Sequence, residues 1–140
     1  MRSCLFLFAL AALALSGLAA DALPHSETLR GTLHVPANGP ATVATAGHRT
    51  VVVDGDETTR KVLGDRRLNG FSIEAKGHFT APDRFLLDPS YLRSLLVRQD
   101  GKLKLITYFC DVCNIRAYVP GPCACCQRET VLELRDPDAK

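Results

Sequence analysis

The chain lacks an excess of charge of either sign. Across 140 residues it carries 17 Lys and Arg against 15 Asp and Glu. Residues 1–20 contain one basic residue, Arg2, and no acid, so the remainder holds 16 basic and 15 acidic residues. That balance offers no electrostatic attraction to nucleic acid or to an anionic membrane surface. Aromatics are scarce, at 6%, and no aromatic ladder follows a strand face, which removes the stacking platform that single-stranded nucleic acid uses. No nucleic-acid partner is expected. Gly-rich phosphate loop, dinucleotide fingerprint and nucleophile elbow are all missing, so Ser90 and Ser94 are not read as nucleophiles. No C-x-x-C-H occurs, which argues against covalent haem. Catalysis is not expected.

A long hydrophobic run is missing too. The apolar stretch at 4–15 falls short of the roughly 20 residues that span a bilayer, and Asp21 follows without a basic stop-transfer cluster. With Ser16 and Gly17 behind it, this stretch reads as a secretory signal cleaved after Ala19 or Ala20. Cys4 lies too far upstream to become a lipidated first residue. The expected product is periplasmic or extracellular, with no stable membrane anchor, and about 120 residues make one domain. Export also places its cysteines in oxidising surroundings.

What is present is β-patterning. After an irregular lead-in at 21–28, residues 29–35 alternate apolar and polar side chains in the manner of a half-buried strand. A turn at 36–40 precedes a weak strand at 41–46. Residues 50–53 follow, a β-branched run too apolar for an exposed edge. Asp56 reads as the N-cap of a short helix at 57–63, ended by Gly64 in a left-handed stop. Residues 71–80 form a fourth strand, with Gly77 a bulge or close-approach point. Pro82 and Pro89 bracket a loop holding a short extended piece at 85–87. Asp100 and Gly101 are the turn of a hairpin between 94–97 and 102–110, whose second arm is the fifth strand and delivers Cys110 at its tip.

This order, with Leu68, Gly70, Ile73, Gly77 and Phe79, resembles the OB-like barrel over residues 29–109. The resemblance implies a mainly β fold, a small five-stranded barrel with one short helix. It implies no ligand here, because function resides in the site rather than the fold.

The strongest signal is Cys110-Asp-Val-Cys113, nine intervening residues, then Cys123-Ala-Cys125-Cys126. A tetrahedral zinc or iron centre needs four soft donors about 2.3 Å from the metal, and a C-x-x-C turn converges two sulfurs on one point. The segment 108–127 resembles the zinc ribbon and the rubredoxin-type knuckle. By that resemblance Cys110, Cys113, Cys123 and Cys126 are the ligands of zinc, with iron or copper as other candidates. Asn114 and Gln127 stand where the pattern has glycine, and Cys125 is an additional thiol, a possible redox group or extra ligand. The whole chain after the leader is also similar to small exported bacterial proteins of unknown function that share the barrel segment and a Pro-Gly-x-Cys-x-Cys-Cys-Gln motif, here 120–127.

Two other readings compete with the metal. A disulfide framework suits an exported chain but leaves one of five thiols over. By chain entropy, a bridge within one C-x-x-C contributes roughly 1.9 kcal/mol and a Cys113 to Cys123 bridge roughly 2.8. Structural zinc contributes roughly 10 to 16 kcal/mol of apparent binding energy, which favours metal in a terminal segment with only Ile115, Tyr118, Val119, Val131, Leu132 and Leu134 to bury. The third reading is a thiol redox or copper-handling site using Cys123, Cys125 and Cys126, with Arg128 as the activating cation.

Other candidates are weaker. His25, His34, His48 and His78 form no ligand spacing. Asp54, Asp56 and Glu57 read as a turn and helix cap rather than a calcium loop, and Arg60, Lys61, Arg66 and Arg67 as a solvated basic cluster. The expected organisation is a signal at 1–20, a lead-in at 21–28, an OB-like body at 29–109, a metal knuckle at 110–135 and a tail at 136–140. The expected role is a binding or structural module for a protein or small ligand.

Overall fold

The computed structural model describes residues 25–138; the leader at 1–20 lies outside the described residues. Alternation places Leu29, Leu33, Val43, Val51, Val53, Ile73, Ala75, Phe85 and Leu87 in one buried core, and the strands that carry them close a ring. Strand β1 (Glu27–His34) pairs with β2 (Thr42–Ala44), and β2 with β3 (Thr50–Asp54), both antiparallel. Strands β4 (Ser72–Ala81) and β5 (Arg84–Leu87) complete it. Strand β5 runs parallel to β3 and antiparallel to β4, which returns to β1. Closure leaves no barrel edge free to recruit another chain. The fold is a small, mainly β, OB-like barrel. Helix α1 (Glu57–Leu63) lays Val62 and Leu63 into the same core, and its N-cap Asp56 accepts from the Thr59 amide at 2.7 Å.

Several details differ from the sequence reading. The ring is closed by β5, the piece read as part of a loop, and not by the strand ending at Cys110. The four residues of β5 are too few for a periodic signal, and their parallel pairing with β3 comes from distant chain. Strand β1 starts at Glu27, two residues earlier than expected. Gly64 ends α1 right-handed at φ −80°, because the chain enters a 3-10 turn at Arg66–Leu68, capped by the Asp65 carboxylate. Gly77 is a close-approach point: a Cβ there would run into the Leu86 carbonyl. The bulge lies further on, between Phe79 and Ala81.

Past the ring, the one-turn helix α2 (Tyr91–Ser94) leads into β6 (Leu95–Gln99) and β7 (Lys102–Cys110). Asp100 and Gly101 both have positive φ, 51° and 74°, as a two-residue hairpin requires. Strand β6 continues the β5 edge of β4, which fastens the hairpin to the barrel wall. On β7, β9 (Val131–Arg135) occupies one edge, while β6 and β8 (Ile115–Ala117) lie end to end along the other. The cysteine segment is therefore held between two strands that share β7 as their partner.

Candidate metal centre

Each C-x-x-C sits at the tip of a tight hairpin. In the first, Cys110 faces Ile115 across β7 and β8, so residues 111–114 must turn sharply. In the second, Pro122 faces Glu129, the Cys123 amide donates to the Arg128 carbonyl at 2.7 Å, and the Gln127 amide donates to the Cys123 carbonyl at 2.9 Å. Asn114 and Gln127 have φ of 54° and 60°. The two residues that replace glycine thus adopt the left-handed conformation for which knuckles use glycine, a strain of roughly 1–2 kcal/mol that Asn tolerates better than Gln.

The turns bring the Sγ atoms of Cys110, Cys113, Cys123 and Cys126 within 4.8 Å of one another, and Cys110 Sγ lies 3.5 Å from Cys126 Sγ. A tetrahedral ion with bonds of about 2.3 Å holds its sulfurs about 3.8 Å apart, so the quartet is close to that shell. Among the described residues all five cysteines are free thiols, and the 3.5 Å separation is far beyond the roughly 2.05 Å of a disulfide. Four cysteines are positioned to bind a metal ion. Cys110 and Cys123 are buried, Cys113 and Cys126 half-buried, and Cys125 is exposed outside the quartet.

The electrostatics favour a cation. Amides of Cys126 and Cys125 donate to the Cys123 sulfur and, against burial, bring its pKa down to about 7. Cys113 is pushed up, first by hydrogen bonding with the Cys125 and Cys126 thiols and then by burial. At Cys110 the Cys113 amide pulls downward, but burial and the sulfurs of Cys126 and Cys123 prevail and the net shift is upward. Thiols packed this closely resist shared ionisation, and a divalent ion relieves that resistance by supplying the compensating charge.

Side chains from the barrel side hold the segment. Arg67 donates from Nη1 to the Thr130 carbonyl at 2.6 Å, pairs with Asp65 at 2.9 Å, and lies 5.2 Å over the Tyr108 ring. The Tyr91 hydroxyl donates to the Tyr118 carbonyl at 2.6 Å, and within the segment Thr130 donates its hydroxyl to the Gly121 carbonyl at 2.8 Å. The sequence reading missed these anchors. Arg67 looked like part of a solvated cluster, and only its Asp65-x-Arg67 spacing hinted at a fixed orientation.

The segment buries less than expected. Leu132 and Leu134 pack on the core, whereas Ile115, Tyr118, Val119 and Val131 are 42%, 52%, 37% and 58% exposed. Among the described residues the cysteine quartet is the one group that could hold a metal; no histidine joins it. Asp54 instead pairs with Arg60 and Glu57 with Lys61. Comparisons with protein-family models, with curated proteins and with solved structures find no match for this chain, so the centre is read from its own geometry.

Proposed function

We propose that the quartet is a structural zinc site and that the protein is an exported β module whose zinc fastens residues 111–130 to the barrel. The convergence of four sulfurs carries this reading. Four thiolates fill a tetrahedral shell, and a catalytic zinc keeps one position open for water or substrate, so the donor set fits a structural ion. Zinc also supplies what the segment lacks: with its larger apolar residues largely in solvent, hydrophobic burial alone contributes little to its folding. Cys110, Cys113, Cys123 and Cys126 hold the ion in this reading, and amides within each knuckle support the sulfurs. Export is inferred from the signal pattern at 1–20, and the partner is a protein or small ligand rather than nucleic acid.

The exposure of Cys125, and its thiol contact with Cys113, favour one second reading, a thiol redox or copper-handling centre. Elemental analysis and thiol titration of protein isolated from its export compartment distinguish the two. About one zinc per chain and one readily titrated thiol support the structural site. Metal-free protein with a reducible C-x-x-C, or copper in place of zinc, overturns it.

A further inference from the structure

The run at 50–53 that looked too apolar for an exposed strand has an explanation outside the core. Val51 and Val53 point inward and are buried, but Val52 and Asp54 face outward. The parallel register sets Val52 opposite Arg84 and Asp54 opposite Leu86, so these four side chains share the outer face of the β3–β5 junction. Over that face lies a cleft of about 740 Å³, bounded by the loop at 35–41 and by Arg60, Leu63 and Gly64 at the end of α1. Its size falls in the range of about 300–1,000 Å³ typical of small-molecule sites. None of its lining belongs to the cysteine segment.

The charges at the cleft are unequal. Arg60 uses Nε to bond Asp54 at 2.8 Å, and among the described residues its terminal nitrogens make no hydrogen bond. Arg84 has no side-chain hydrogen bond or ion pair among the described residues and only feels the Asp54 charge at a distance. Among the lining residues two guanidinium groups stand against one carboxylate, beside the apolar side chains of Val52, Leu63 and Leu86, while Asp56 and Glu57 outside the lining also act on Arg60. Guanidinium pairs most strongly with a planar anion that accepts two parallel hydrogen bonds.

We propose that this cleft binds a small carboxylic acid with an apolar body, its carboxylate between Arg84 and Arg60 and its body against Val52, Leu63 and Leu86. The probe is octanoate, titrated into the full protein as purified and followed by calorimetry, with octanol and acetate as controls. Saturable one-to-one binding of octanoate, tighter than that of either control, is expected. Arg84→Gln should weaken octanoate about tenfold, the effect of losing one charge-assisted hydrogen bond, and leave octanol unchanged. Because the Arg84 side chain is exposed and makes no side-chain bond among the described residues, this variant keeps the fold, which circular dichroism verifies. Absence of saturable octanoate binding, equal affinity for octanol, or octanoate affinity unchanged in Arg84→Gln would each overturn the assignment.

Discussion

Cys125 and Cys110 are both thiols near one cluster, yet their surroundings assign them different parts. Cys110 is buried at the end of β7 with its sulfur 3.5 Å from Cys126, whereas Cys125 is exposed and outside the quartet. Cys110→Ser should therefore abolish stoichiometric zinc binding, and Cys125→Ser should leave about one zinc per chain. Elemental analysis of the two variants checks this, and the opposite ranking would reject the ligand set. Glu74 gives a pH-dependent counterpart. Its side chain is only 8% exposed and accepts from Arg30 at 2.8 Å and Arg98 at 2.9 Å. The Arg30 bond, opposed by burial and aided by Arg98, lowers its pKa below the ordinary 4.5. The unfolded chain thus takes up this proton at a higher pH than the folded one does. Its stabilisation is present above about 4.5 and is lost as pH falls through the folded value. Glu74→Gln should cost roughly 1–3 kcal/mol at neutral pH and flatten the acid limb of a stability profile measured by urea unfolding between pH 3 and 7.

Strands β4 and β5 show how one glycine can decide a pairing. Gly77 is opposite Leu87, and any Cβ on it would meet the Leu86 carbonyl and lie 2.8 Å from the Leu87 Cα. Backbone cannot retreat from that contact without parting the strands that close the ring. Gly77→Ala should destabilise the protein by about 2–4 kcal/mol, measured by chemical unfolding. The accompanying loss of amide protection should centre on β4 and β5. Hairpin β6–β7 is a different case: Asp100 and Gly101 supply the positive-φ turn that a two-residue hairpin requires, and Gln99 pairs with Lys102 across it.

For the molecule as a whole, the two ends of the fold rest on different forces. The barrel is held by a continuous apolar core from β1 to β7. The cysteine segment relies on a few bonds from Arg67 and Tyr91, on the Thr130–Gly121 bond within it and, in the proposed reading, on the ion. Chelation should therefore open residues 111–130 to limited proteolysis while barrel amides stay protected from hydrogen exchange, since local opening follows local burial. A chelated protein that resists cleavage there, or unfolds throughout, would count against the ion as the fastening of this segment.

Features set by local chemistry were legible in the chain itself: the Asp56 cap, the Asp100-Gly101 turn, the inward alternation of β1 and β4, the β-branched run of β3, and four cysteines spaced for two knuckles. Each depends on a handful of neighbouring residues whose conformational preferences are strong. Distant contacts supplied the remainder. That Arg84–Leu87 closes the ring, that Arg67 reaches Thr130, that Val52 looks out onto a cleft and that both knuckles meet at a single point are consequences of chain-closing pairings and packing, which no short window of residues encodes.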